Sequence, residues 1–228
     1  SKVIIRDFGE LEKLQVSSKG PADFVTNSDK KVEKIIIEEL TKSRKKFSIL
    51  SEEIGEIKKL DEDNCWIIDP IDGTTNFLHG IPHFAISIAL RSKQEIVSGL
   101  IFDPIKNEMF YAEKNGGAYF NNQRIRVSKK RNLNECLFAT GGKDQFNKDL
   151  NVRKSGSAAL DMAYVGAGRY DGYFQKNLNI WDIAAGIIIV NEAGGKVNDI
   201  EYFSNKLINI FAGSNSIYEK MLKNLNNF

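Results

Sequence analysis

The sequence predicts an α+β fold in two halves: an antiparallel meander half over residues 1–135 and a smaller α/β half over residues 136–228. Three observations lead there. Between Phe84 and Phe120, short apolar runs alternate with turn-like residues, the pattern of consecutive antiparallel strands. On either side of that block, apolar residues recur at helical spacing. At 228 residues the chain is long enough to bury a real core in one domain or two closely packed halves.

Taken in order, Ile4, Ile5, Phe8, Leu11 and Leu14 are spaced as on a helix interrupted at Gly9, with a strand to follow. Residues 19–29 read as a loop leading into a helix that carries Val32, Ile35, Ile36 and Leu40 on one face and is capped by Asn27, Ser28 or Asp29. A short strand over 47–50 runs into Ser51-Glu52-Glu53, and the polar run 56–64 reads as a surface loop. Trp66, Ile67 and Ile68 suit a buried strand that Asp69-Pro70 stops, because Pro lacks an N–H and restricts the residue before it. The meander comprises 84–91, 95–102, 108–112 and 118–120. In the second half, residues 137–140 form a strand ending at Gly141-Gly142, and Ser157 opens a helix that reaches Val165. Tyr173 and Phe174 form a strand, Trp181-Asp182 opens a helix that Gly194-Gly195 stops, a strand surrounds Phe211, and Ser214 caps a last helix with Ile217, Met221 and Leu225. Asp161, polar on an apolar helix, reads as a capping or core hydrogen-bonding group.

With 32 basic and 30 acidic residues the net charge is +2, so nothing global favours nucleic acid or a membrane surface, and an anionic substrate must be attracted locally. The block Lys129-Lys130-Arg131 reads as solvated surface rather than a nucleic-acid contact. Cys65 and Cys136 fit reduced core thiols in a cytosolic protein better than a disulfide. The chain has no apolar run of the ~20 residues that a membrane span needs, and a soluble, cytoplasmic protein is expected. It starts at Ser1 in what reads as the middle of a helix, so a first helix is expected to be partly missing.

The chemistry concentrates in the turn after residue 68, where Asp69 and Asp72 are followed by Gly73, Thr74 and Thr75. Like charges ~4 Å apart at an effective dielectric of about 20 repel by about 4 kcal/mol per pair, so the cluster calls for protonation or, better, a bound cation. Carboxylates, a hydroxyl and backbone carbonyls without paired Cys or His point to hard ions such as Mg²⁺ or Mn²⁺ and away from zinc. The spacing Asp69-x-x-Asp72-Gly73 excludes an EF-hand, whose acids alternate. Free N–H groups at Gly73 and Thr74, where a short helix begins, suit phosphate oxygens. His79 and His83 follow without a catalytic spacing and read as surface or packing residues.

The strings WIIDPIDGTTNF at 66–77 and WDIAAG at 181–186, continued by NEAGG at 191–195, resemble the two signatures of the inositol monophosphatase family of Mg²⁺-dependent, lithium-sensitive phosphatases. The resemblance runs over nearly the whole chain. It implies a layered α/β/α/β/α sandwich of the sugar-phosphatase type and a homodimer acting on inositol or another small phosphate monoester. It also implies water activated by two or three Mg²⁺ and no covalent enzyme intermediate. By the same resemblance, the metal ligands are Glu52, Asp69, the Ile71 carbonyl, Asp72 and Asp182, with the Thr74 hydroxyl beside them. Catalysis falls to Glu52, to Thr74 and to Asp29, which pairs with Thr74. Substrate contacts fall to Asp72, Gly73, Thr74, Ala158 and Gln175.

Departures from the family pattern are Ser51 where Gly is usual, Gln175 where some members present a Glu to the inositol ring, and a short segment over 142–153. Fructose-1,6-bisphosphatase and 3′-nucleotidase activities remain alternatives within the superfamily, as does a non-catalytic role with the transcription machinery. A haloacid-dehalogenase-type site is the runner-up enzyme class, disfavoured because its two Asp are separated by one residue and here the separation is two.

Overall fold

The structure, a computed structural model, describes residues 1–11, 16–20, 23–142, 150–200 and 207–224. Leu14, residues 21–22 of the predicted loop, residues 143–149 of the short segment and Leu225 lie outside the described residues.

The chain begins with α1 (Lys2–Gly9), the hairpin β1 (Val16–Gly20) and β2 (Asp23–Thr26), and α2 (Asn27–Ser43). There follow β3 (Phe47–Ser51), β4 (Gly55–Ile57), β5 (Asp61–Asp72) and the short α3 (Thr74–Leu78). The meander is β6 (Ala85–Ser92), β7 (Glu95–Asp103), β8 (Glu108–Glu113), β9 (Gly117–Phe120) and β10 (Gln123–Arg124). After it come β11 (Leu137–Ala139), β12 (Asn151–Arg153), α4 (Ala158–Gly166), β13 (Gly172–Leu178), α5 (Ile180–Glu192), β14 (Gly195–Val197), β15 (Ile208–Ser214) and α6 (Asn215–Asn224).

Among the described residues, β3 to β10 form one sheet in the order β10-β9-β8-β7-β6-β5-β3-β4. It is antiparallel except where β3 and β5 run side by side in the same direction. A second sheet has the order β12-β11-β13-β15-β14. Helices α4 and α5 lie between the two sheets. On α5, Ala184, Ala185, Ile188 and Ile189 pack toward the larger sheet, while Ile183, Ile187 and Val190 pack toward the smaller one. A helix covered on both faces is apolar all round, as this one is. Burying each such Ile or Val contributes about 1.5–3 kcal/mol. Gly186 is where α4 comes closest, since a Cβ there would sit 2.4 Å from the Met162 Cβ. Outside the larger sheet, Ile4 of α1 and Val32 of α2 pack on Ile71 and Ile86. Outside the smaller one, Ile217 and Met221 of α6 pack on Phe138, Phe174 and Phe211. The layers are therefore α/β/α/β/α, the fold class expected.

Several local readings are corrected. Within the expected loop, residues 19–20 end β1 and residues 23–26 form its antiparallel partner β2, which runs directly into α2. The polar run 56–64 contains the end of β4 and the start of β5, which are polar because they lie at the sheet's rim. Asp69-Pro70 does not stop β5, which stays paired with β6 through Asp72. On α2, Ile35 is 45% exposed and Glu33 is buried, so the inward face is shifted by about a residue from the apolar spacing. Helix α5 starts at Ile180 with Asn179 as its cap residue, one position before the expected opening. Ser214 is the last residue of β15 and its buried hydroxyl has no hydrogen-bond partner among the described residues, so it is not the side-chain cap of α6. Both cysteines are free and buried, and no helix among the described residues is long and apolar enough to cross a membrane.

Candidate metal centre

The site forms where β3 and β5 end together. Asp69 and Asp72 are three residues apart, which on a regular strand would send their side chains to opposite faces. Their β6 partners, Ser87 and Ala85, are only two apart, so β5 carries one extra residue at Pro70-Ile71. That bulge reverses the alternation and brings both carboxylates to one side. Pro70, with no N–H to lose, fits such a position. The third acid comes from α5: one oxygen each of Asp69, Asp72 and Asp182 lies within 4.8 Å of the others. Asp182 Oδ2 also accepts from the Asn179 N–H at 2.8 Å, so the residue caps its helix and faces the cluster at once. The start of α5 is tied to the sheet by the Ser87 hydroxyl, which donates to the Trp181 carbonyl at 3.3 Å. Glu52, one residue past β3, is hydrogen-bonded through its side chain to Asp69.

Burial and crowding set the charge. Asp69 is pushed well above the usual carboxyl range, first by burial and then by the charges of Glu52, Asp72 and Asp182. Asp72 is pushed up to about 6 by burial, even though the Ser157 hydroxyl and the backbone N–H groups of Ala159 and Ala158 favour its ionised form. Its Oδ2 accepts from the Ser157 Oγ and, at 3.0 Å, from the Ala159 N–H. Asp72 therefore sits on the N-terminus of α4, where free N–H groups favour an anion. Close by, Asp161 accepts from the Ser155 hydroxyl at 2.7 Å and is pushed up to about 8 by burial, which the Ser155 hydrogen bond opposes and the Asp72 charge reinforces. An all-oxygen donor set that repels itself in a buried place fits a hard divalent cation.

Thr74 and Asp29 meet beside the acids. The Thr74 hydroxyl donates to the Ile71 carbonyl at 2.9 Å, and Asp29 Oδ1 lies at 3.4 Å. Asp29 is fully buried, and its Oδ2 accepts from the Thr26 N–H at 2.8 Å and from the Thr26 hydroxyl. Gly73 bends the chain between β5 and α3 at φ +95°. A side chain there would press on the Gly156 and His83 carbonyls at 3.1 and 3.2 Å. Asn76 holds that turn against the second half, donating to the carbonyls of His83 at 2.7 Å and Ser155 at 2.8 Å.

A family model, that of the inositol monophosphatase family, matches residues 1–225. The chain belongs to the inositol monophosphatase family. It is similar to an inositol-1-monophosphatase of Rhizobium meliloti, 47% identical over 88% of this chain and 81% of that protein. It is also similar to Nus factor SuhB of Escherichia coli strain K12, 42% identical over 98% of this chain and 90% of that protein. Among solved structures, the extragenic suppressor protein suhB of Bartonella henselae superposes with a TM-score of 0.92 at 47% identity, covering 99% of this chain and 93% of that one. Membership of this family indicates a phosphatase.

Within this family fold, Asp69, Asp72 and Asp182 converge, Glu52 reaches Asp69, and Ile71, Gly73, Thr74 and Asp29 adjoin them. Ala158 is the first residue of α4, with its N–H turned on Asp72. Gln175 lies on β13, where its Oε1 accepts from the Tyr173 hydroxyl at 2.7 Å. That hydroxyl is buried and feels the charges of Asp161, Asp72 and Asp182. His79 is exposed and His83 packs edge-on against Tyr164, as packing and surface residues do. Sequence reasoning missed Ser157 as a partner of Asp72, and it missed Asn76 and Tyr173. Ser157 was legible as a helix cap, but only the fold reveals which carboxylate it meets.

Proposed function

We propose that the protein hydrolyses phosphate monoesters of a polyol, inositol 1-phosphate foremost, with Mg²⁺ as its cation. The observation that carries this reading is the convergence of three carboxylate oxygens within 4.8 Å, mostly buried, with Glu52 bonded to one of them. Glu52, Asp69, Asp72, Asp182 and the Ile71 carbonyl would hold the cations. When bound, these lower the pKa of water and neutralise charge on the phosphoryl and leaving oxygens.

The remaining steps belong to the chain itself. The N–H groups of Gly73 and Thr74 donate to phosphate oxygens, fixing phosphorus beside the acids. Thr74 Oγ1 takes a proton from the attacking water as it passes its own to Asp29 Oδ1, which requires the hydroxyl to turn from the Ile71 carbonyl to Asp29. The water oxygen bonds to phosphorus as the ester oxygen leaves with its electron pair. Asp72 also reaches a substrate hydroxyl, and Ala158 and Gln175 line the ring pocket. In this reading the chain divides into halves 1–135 and 136–228, with the site between them. A cytoplasmic homodimer inhibited by Li⁺ completes the reading.

Phosphate release from a panel of inositol, sugar and nucleotide phosphates, with Mg²⁺ and with added Li⁺, tests it. Inositol 1-phosphate should lead the panel, and a phosphorylated Asp trapped during turnover would refute the mechanism. The likeness to a protein named Nus factor SuhB favours a second reading, a regulatory binding role. An Asp69→Asn variant that fully replaces the wild type in cells lacking the gene would support that role over catalysis.

A further inference from the structure

We infer that Glu33 is a positioning residue for the metal centre, holding the hairpin tip that aims Glu52 at Asp69. The inference rests on Glu52 being a metal ligand, as proposed above.

Strands β3 and β4 pair at Ser51 and Gly55, which leaves Glu52, Glu53 and Ile54 as a three-residue hairpin loop. Gly55 follows in the left-handed region at φ +73°, the usual closure for a loop of this length. Loop tips are ordinarily the more mobile parts of a fold, yet this one carries a side chain that must meet Asp69 within hydrogen-bond reach. Two sets of contacts hold it. On one side the Glu52 N–H donates to the Ile68 carbonyl at 3.2 Å, carrying the β3–β5 ladder one residue past β3. On the other, a single oxygen of Glu33, 2% exposed, accepts from the Ser51 hydroxyl, the Glu53 N–H at 3.1 Å and the Ile54 N–H at 3.3 Å. Ser51, Glu52, Glu53 and Ile54 are thus each tied to either β5 or α2.

The placement on α2 gives the arrangement its reach. Glu33 is four residues after Asp29, so the two carboxyls stand one turn apart on the same helix face. One turn meets Thr74 and the next meets the Glu52 tip. Helix α2 thereby spaces the proton-accepting end of the site from its ligand end. A polar group on the inward face of an amphipathic helix needs such a use, because burying it without partners is costly.

Magnesium affinity of the full-length, EDTA-treated protein, measured by titration calorimetry without substrate, tests the inference. Glu33→Ala should weaken Mg²⁺ binding about 10–100-fold, the range for a residue that orients a metal ligand. The substrate KM at saturating Mg²⁺ should stay unchanged. Glu33→Gln, which keeps an oxygen acceptor in place, should restore most of the affinity. Wild-type affinity in Glu33→Ala, or no rescue by Glu33→Gln, overturns the inference. Should Glu33→Ala fail to fold, Ser51→Ala decides: about 2–10-fold weaker binding supports it, and unchanged binding overturns it. Glu52→Gln separates the two levels. If it too binds Mg²⁺ like the wild type, the reading of Glu52 as a ligand fails; if it binds weakly while the Glu33 variants do not, only the positioning role fails.

Discussion

Replacing Asp69 with Asn removes an ionisable group from a buried cluster while keeping the shape, and the consequence has a sign that ordinary core mutations lack. With Asp69, Asp72 and Asp182 oxygens within 4.8 Å, each ionised pair repels by about 3.5 kcal/mol at an effective dielectric of about 20. Burial first, and this repulsion second, raise the Asp69 carboxyl well above the ordinary 3.8 in the metal-free protein. A raised carboxyl favours the folded state fully below its unfolded value, and that advantage is lost as pH rises toward the folded value. Metal-free Asp69→Asn should therefore be more stable than the wild type at pH 7, on the order of the 3.5 kcal/mol of one relieved pair, and equal to it near pH 4. Asn Oδ1 keeps the bond from the Ile71 N–H, 2.9 Å in the wild type, and its amide can still donate to Glu52. Thermal melts of EDTA-treated protein across pH 4–8 read the difference as about 2–4 °C per kcal/mol for a chain of this size. Added Mg²⁺ should reverse the order, raising the wild-type melting temperature by the binding term and the variant's much less. A variant less stable than the wild type at pH 7 without metal, or a difference independent of pH, would refute the crowding argument.

Other substitutions probe separate parts of the account. Asp161→Asn should flatten the metal-free stability profile between about pH 4 and the Asp161 value of about 8, making the variant the more stable protein at neutral pH, as melts against pH will show. Thr74→Ala should lower kcat about 10²–10⁴-fold with little change in Mg²⁺ affinity, and Thr74→Ser should recover most of it in steady-state phosphate release. Gly73→Ala places a side chain at φ +95° against the Gly156 and His83 carbonyls. It should cost about 1–3 kcal/mol in denaturant unfolding and also impair turnover.

The larger features of the fold were legible because they rest on periodicity. Alternation along the meander marked β6 to β9 to within a residue or two, and the apolar runs of α4 and α5 marked the buried middle layer. What misled was local punctuation whose meaning depends on register. Pro70 signals a strand end in sequence, yet here it sits in a bulge that only the pairing of β5 with β6 exposes. That bulge lets Asp69 and Asp72 face the same way. Glu33 hid because a charged residue beside Val32 reads as the solvent face, and the loop N–H groups it satisfies come from 20 residues away. Ser157 was visible as a cap, but its meeting with Asp72 joins residues 85 apart in the chain. The acids themselves were found through spacing around Gly73 and through resemblance, and the fold brings them to one place by three independent elements, β5, α5 and the β3–β4 tip.

Calorimetric titration of Mg²⁺ into the EDTA-treated wild type, Asp69→Asn and Asp182→Asn proteins bears most directly on the claim that buried acids from β5 and α5 form one cation site. The account predicts saturable binding to the wild type, with protons released as the raised carboxyls of the cluster ionise, and greatly weakened binding in both variants. Wild-type binding in either variant, or uptake without proton release below about pH 6, would contradict it.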